Sequence, residues 1–274
     1  MSTRLPSIGR PINWYGSKDK MAARIHALMP PGLDTWVDLF CGSAIVTLRK
    51  PRHRREVIND LNGDVVTLFD VLRDDFDRAD LFRRLELTPY AEALLERVYR
   101  EPAPTGDRVA KAWHFLVRSW FGRGGDGHET GFRWSKNKTT APELSWTRLP
   151  ERLELVAERL RGVCIRCDDA LKILGDYDHP DCLIYVDPPY PGPVGRRYEV
   201  RMTADQHRAL AGRLKDCRAR VILSMNPGTV YSEVLSDWVE TRVQVLGGGN
   251  KSKAEVLLTN YEPLPLLAGG EVVA

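Results

Sequence analysis

The chain has 274 residues, 43% of them hydrophobic, enough to bury one substantial core with a smaller appended lobe. Its formal net charge of +3 is too mild to signal a polyanion partner by itself, so any nucleic-acid contact depends on where the basic residues lie. Five cysteines at irregular spacings suit a reduced, cytosolic protein, and the lack of a signal peptide or a run of ~20 apolar residues argues against secretion and membrane insertion.

Near the N-terminus, Asn13-Trp14-Tyr15-Gly16-Ser17-Lys18 precedes a helical pattern with Met21, Ile25 and Leu28 on one face. A lysine beside a helix start is unfavourable for the dipole unless it meets an anion, which makes a ligand carboxylate a reasonable partner for Lys18. Packing of an N-terminal helix would use the same residues. Next, Thr35-Trp36-Val37-Asp38-Leu39-Phe40-Cys41-Gly42-Ser43-Ala44 reads as an apolar strand entering a small-residue turn, where backbone approaches a ligand closely and the following helix offers free N–H groups. The spaced glycines of a dinucleotide site are absent, which points to a cofactor with a carboxylate and no pyrophosphate. A second strand, Glu56-Val57-Ile58-Asn59, leads into Asp60, a carboxylate placed to accept the hydroxyls of a ribose. Asn59 and Asn62 are candidate caps for a helix over residues 63–72.

From about residue 71 to 161 helical patterns replace the strand rhythm. Residues 70–99 read as helical with a break near Pro89, and after a linker-like stretch Val109, Trp113, Leu116, Val117 and Trp120 form one helix face. The segment over residues 121–138 is too rich in glycine for a core element. It mixes Arg123, Arg133, Lys136 and Lys138, suited to phosphates or bases, with aromatic rings that can stack or wedge. A solvated loop would have the same composition. A helix with Leu153, Val156 and Leu160 on one face returns the chain to the sheet.

A third strand over residues 163–167 ends in Asp168-Asp169, either of which suits the amino group of a nucleoside adenine, while an N-cap accounts for one of them. Cys164 and Cys167 have the spacing of a metal pair but no second pair, so a place in the core is expected for both and no metal site is assigned. The apolar strand Cys182-Leu183-Ile184-Tyr185-Val186 then runs into Asp187-Pro188-Pro189-Tyr190. Ligands bind at the carboxyl ends of parallel strands. A carboxylate and a carbonyl held by two φ-restricted prolines can each accept from an exocyclic amino group, and Tyr190 offers a ring face. An ordinary surface turn uses the same residue types. Beyond it, Arg196, Arg197 and Arg201 are placed to meet phosphates, Thr203 with Gln206 forms a capping box, and residues 239–246 and 254–260 read as an antiparallel pair around a loop carrying Lys251 and Lys253.

These motifs, together with the closing Glu255-Val256-Leu257-Leu258-Thr259-Asn260-Tyr261, resemble in type and order the Dam-like family of DNA N6-adenine methyltransferases, known from phages and restriction systems. The resemblance implies an α/β, Rossmann-like S-adenosylmethionine-dependent methyltransferase sheet with an inserted, mainly helical DNA-recognition subdomain. Residues 1–70 and 162–274 would form the catalytic domain and 71–161 the target-recognition insert. It implies S-adenosyl-L-methionine as cofactor, held by Trp14, Tyr15, Lys18, Asp38, Phe40, Gly42, Ser43, Asp60, Asp187 and one of Asp168 and Asp169, with Asp169 in the more family-like register. Lys18 would meet the methionine carboxylate. Asp187, Pro188 and Tyr190 would act on the amino group of an adenine flipped out of DNA, and Arg123, Arg133, Lys136, Lys138, Arg196, Arg197, Lys251 and Lys253 would contact DNA. The implied setting is the cytoplasm of a bacterial or phage-infected cell, with double-stranded DNA and a cognate restriction enzyme as partners and no membrane. Cytosine N4, RNA adenine and a catalytically silent DNA-binding protein remain the alternatives on chemistry alone.

Overall fold

A computed structural model describes residues 8–124, 129–136, 141–191, 200–246 and 252–264. The chain begins with a short helix, α1 (Ala22–Ala27), then lays down β1 (Thr35–Asp38), α2 (Ile45–Arg49) and β2 (Arg55–Asn59). Six helices follow before the next strand: α3 (Gly63–Arg73), α4 (Asp75–Glu86), α5 (Glu92–Arg100), α6 (Arg108–Phe121), α7 (Pro142–Thr147) and α8 (Leu149–Leu160). The sheet resumes with β3 (Val163–Arg166), α9 (Ala170–Asp176), β4 (Cys182–Val186), α10 (Ala204–Lys215) and β5 (Arg220–Met225). It finishes with α11 (Val230–Val234), β6 (Val239–Leu246) and β7 (Ser252–Thr259). Among the described residues the strands form one seven-stranded sheet in the order β3-β2-β1-β4-β5-β7-β6. This is a Rossmann-like mixed sheet of the kind typical of S-adenosylmethionine-dependent methyltransferases, with an inserted helical region.

The first five strands across are parallel, and β7 and β6 close the far side antiparallel. The chain leaves β1 outward to β2 and β3, then returns to place β4 on the other side of β1. The strand order therefore reverses between β1 and β4, and the crevice beyond their carboxyl ends is where an open α/β sheet binds ligands. Asp38 pairs in register with Tyr185, so Asp38 and Asp187 emerge side by side at that crevice. Both strands are buried along their whole length, which is why they read as apolar runs.

Helix boundaries follow the capping chemistry. Asn62 accepts from the N–H groups of Asp64 and Val65 to start α3, Asp74 starts α4, and Asp107 starts α6. Thr203 and Gln206 form the reciprocal box that opens α10. Asn59 does not cap. Its amide donates to the carbonyls of Leu39 and Asp168 and accepts from the Asp168 N–H, stapling the ends of three neighbouring strands.

The inserted helices share one apolar core with the outer sheet: Ile58 and Val163 pack with Phe69, Phe115, Leu153 and Val156. An ionic cluster pins the same junction. Arg159 of α8 donates to both oxygens of Glu56 on β2, at 2.6 and 2.9 Å, and to the Thr47 carbonyl at 2.9 Å, while Lys50 pairs with the same carboxylate. Burial pushes the Glu56 carboxyl up, but the hydrogen bonds from Arg159 and Lys50 outweigh it and hold the group at about 2.

Two expectations are corrected. Cys164 and Cys167 are exposed: Cys164 lies on β3, the edge strand, and Cys167 just past its end. The glycine-rich segment is partly core at its base: Gly122 bridges to Phe132, and Phe132 and Phe121 pack around Tyr90 with ring centroids 5.0 and 4.3 Å from it. Aromatic spacing outweighs glycine content there. Among the described residues no helix is long and apolar enough to cross a membrane.

Candidate active site

The crevice holds a pocket with about 1060 Å³ of empty space, open to solvent, that runs from Asp60 and Asp169 on one side to Asp187 on the other. Six chain segments build it. The turn after β1 contributes Phe40, Gly42 and Ser43, and the loop before α1 contributes Trp14, Tyr15 and Lys18. The hydroxyls of Ser17 and Ser43 lie 3.0 Å apart and tie these two segments together. Gly42 has a φ of 46°, and a Cβ there would sit 2.5 Å from Trp14 Nε1, so the indole and the turn can meet only over a glycine. Ala44, which caps α2 with a φ of 51°, is a strained residue at the same turn.

The acids of the pocket differ in how they are satisfied. Asp60 accepts from the Gly42 N–H at 2.8 Å and the Asn62 N–H at 2.9 Å, so it shapes the turn as well as facing the pocket, and burial raises its pKa. Asp38 accepts from the Thr47 hydroxyl at 2.7 Å, and Trp36 Nε1 donates to that same hydroxyl at 2.8 Å. The second Asp38 oxygen is buried and meets no donor among the described residues. Burial, reinforced by Asp187 and Asp60, pushes this carboxyl up to about 7. The buried Tyr185 hydroxyl on the same wall likewise has no partner among the described residues. Asp169 lies on the wall and caps α9, whereas Asp168 turns away to Arg166 and Lys172.

At the other end, Lys18 is 5% exposed and donates to Asp187 Oδ2 at 2.7 Å and to the Gly16 carbonyl at 3.0 Å. Burial alone would disfavour the ammonium, but the Asp187 carboxylate reverses this and holds its pKa well above the usual lysine value. The structure thus gives Lys18 a partner inside the chain that the sequence did not pair with it. Tyr190 is 4% exposed, with the Lys18 ammonium 5.0 Å from its ring centroid. Its ring is covered rather than presented as an open platform, and neither Tyr190 nor Pro188 lines the pocket.

Sequence reasoning did not single out Tyr185, Met202 or Gln206, which also line the pocket. Tyr185 could have been found from strand alternation, since it lies two positions before Asp187; Gln206 was read only as half of a capping box, and Met202, after a long loop, gave no signal. Glu255 was quoted in a motif without a role, and its carboxylate lies 4.0 Å from the Lys18 ammonium. In the insert, Arg123 is exposed and donates to the Phe132 carbonyl at 3.0 Å. Arg133 is half-buried with its backbone N–H on the Phe121 carbonyl, and Lys136 is exposed beside Trp134, which is 57% exposed. Lys138, Arg196, Arg197 and Lys251, and the Lys253 side chain, lie outside the described residues.

Comparison with known families adds one finding. Residues 14–101 match the family described as D12 class N6 adenine-specific DNA methyltransferase. A D12-class N6-adenine DNA methyltransferase domain is thus present over part of the chain. The matched residues include Trp14 to Lys18, the turn at Gly42 and Asp60, and stop before Asp187. No curated protein matches the chain.

Proposed function

We propose that the protein transfers a methyl group from S-adenosyl-L-methionine to the N6 amino group of an adenine in DNA. The observation that carries this reading is the convergence on one pocket of the D12-matched walls and of Asp187, which lies outside the matched residues. The residues fit the cofactor. Asp38 has a buried acceptor left over for an ammonium, Gly42 forms a turn that a side chain would fill, and Asp60 retains lone pairs for ribose hydroxyls beyond its two backbone bonds. Asp169 would receive the amino group of the nucleoside. When bound, the cofactor would supply a methyl group activated by a sulfonium, whose carbon–sulfur bond breaks as the methyl is transferred to leave the thioether product S-adenosyl-L-homocysteine.

The chain's own part is to orient the amino nitrogen. Asp187 would accept one of its N–H bonds and the Pro188 carbonyl, although off the pocket wall in this structure, the other, favouring the pyramidal form whose lone pair points out of the ring, and the Lys18 ammonium holds the Asp187 carboxylate in place for that task. Nitrogen gains the methyl and releases one proton, which leaves to solvent; no thiol or metal is assigned a step. An adenine within a duplex cannot reach such a pocket, so the base would be extruded from double-stranded DNA. Residues 71–161 would form the recognition insert, with Arg123, Arg133 and Lys136 toward DNA. Cytoplasmic residence and a cognate restriction enzyme belong to the same reading.

Incubation of the protein with labelled cofactor and unmethylated DNA, followed by sequencing that detects N6-methyladenine, tests the proposal. Label in cytosine or RNA alone, or cofactor binding with no transfer to any nucleic acid, overturns it. The insert assignment has its own measurement. Arg123→Ala and Lys136→Ala should each lower the slope of log affinity against log salt by roughly one unit while leaving the fold intact. Unchanged slopes in both would place the DNA surface elsewhere.

A further inference from the structure

Glu255 lies on β7, two strands away from β4 across β5, yet its side chain reaches the Asp187 end of the pocket. Its carboxylate is 12% exposed and stands 4.0 Å from the Lys18 ammonium, which bonds Asp187 at 2.7 Å. The Tyr190 hydroxyl donates to the same Glu255 oxygen at 3.4 Å, and Lys18 lies 5.0 Å from the centre of the Tyr190 ring. Lys18, near the N-terminus, and Tyr190, three positions beyond Asp187, thus both meet Glu255 and each other. An ammonium has three N–H bonds; two are committed to Asp187 and Gly16, and Glu255 supplies the remaining charge that faces it.

On the reading proposed above, we infer that Glu255 is a positioning residue for the methyl transfer: it fixes the Lys18 ammonium and the Tyr190 ring, and through Lys18 it sets the charge balance at Asp187. Lys18 alone would be drawn wholly to Asp187 and would compete with the substrate amino group for that carboxylate. The second anion divides the pull. Among the described residues, Asp38 from β1, Tyr185 from β4 and Tyr190 itself also face this cluster, and Arg201 lines the same pocket.

The test compares Glu255→Gln, which keeps an acceptor for Tyr190 but removes the charge, with Glu255→Asp, which keeps the charge. Glu255→Gln should lower kcat ~10-fold or more with KM for DNA and cofactor affinity little changed, because a displaced Lys18 misplaces Asp187. Removing a nearby anion favours the more negatively charged state of the remaining cluster, so the acid limb of the kcat profile should move to lower pH, and Glu255→Asp should restore it. A second readout needs neither activity nor cofactor. In lysine-labelled ligand-free protein, the slowly exchanging ammonium resonance of Lys18, assigned by its loss in Lys18→Arg, should shift in Glu255→Gln and return toward wild type in Glu255→Asp. A superimposable pH profile and an unshifted resonance overturn the inference. If Glu255→Gln fails to fold, Glu255→Asp decides: wild-type-like resonance and pH limb uphold the role of charge, and a Gln-like collapse overturns it. If the wild-type protein methylates nothing, the proposed function fails, and the resonance still decides whether Glu255 positions Lys18.

Discussion

Glu56 and Asp38 are buried carboxylates on neighbouring parallel strands, 4% and 1% exposed, yet they meet opposite surroundings. Glu56 lies near the start of β2, where Arg159 engages both its oxygens and Lys50 adds a third donor, and its pKa falls to about 2. Asp38 ends β1 at the crevice, where Thr47 satisfies one oxygen, the other meets no donor among the described residues, and the pKa rises to about 7. Burial disfavours both anions; the number of donors decides the sign. The closed end of the sheet uses charge to join the insert to the sheet. The open end leaves acceptor capacity for a ligand. Thr47 connects the two, since its carbonyl accepts from Arg159 and its hydroxyl donates to Asp38.

Breaking the closed end should give the largest effect. Arg159→Ala strips Glu56 of its bidentate partner and leaves a buried carboxylate under-compensated, which costs ~3–5 kcal/mol in stability. Urea unfolding measures it, and a loss below 1 kcal/mol would mean that the cluster is not what joins α8 to β2. Breaking the open end should act on rate instead. Asp187→Asn should lower turnover ~10²-fold or more in protein that is still folded by its urea transition. Asparagine is a cleaner probe than alanine, because it keeps an acceptor beside the buried Lys18 ammonium. Turnover within a factor of a few of wild type would remove Asp187 from the chemistry.

The sheet was legible because its strands are short apolar runs ending in acids, and burial on both faces writes that pattern directly into β1 and β4. The caps at Asn62 and Thr203 were legible for a similar reason, since a cap is a contact within three residues. Local patterns also pointed Asp38, Gly42, Asp60 and Asp187 to one crevice, and left Asp168 and Asp169 as a pair of which Asp169 lines it. What stayed hidden depends on long-range pairing. The Lys18–Asp187 bond spans 169 positions, and nothing local in the sequence of either residue announces it. Cys164 was expected in the core because an apolar strand does not reveal that it will be the edge strand, and Cys167 because the strand was read one residue too long. Phe132 was taken for loop because its partners, Tyr90 and Phe121, lie on other elements.

The smallest effect sharpens the comparison through pH. Asp38 has a folded pKa of about 7, raised above the ordinary 3.8. The folded state therefore holds its proton more tightly than the unfolded chain does, and this group's contribution to stability falls as pH rises from about 4 to about 7. Glu56, held at about 2 against an ordinary 4.5, runs the other way: its contribution is present above about 4.5 and is lost as pH falls toward 2. Asp38→Asn should flatten the first dependence and leave the second. An ammonium at Asp38 needs the ionised form, so cofactor affinity should rise with pH through this window, by ~10-fold between pH 6 and pH 8, because at pH 6 binding must first remove a proton held one unit more tightly than the solution demands. Calorimetry across that range, in buffers of different ionisation enthalpy, reads both the affinity and the proton released. In Asp38→Asn the affinity should be weaker and independent of pH. A flat wild-type profile with no proton release would show that Asp38 meets no cation in the complex, and the open acceptor at the end of β1 would then serve the turn rather than the ligand.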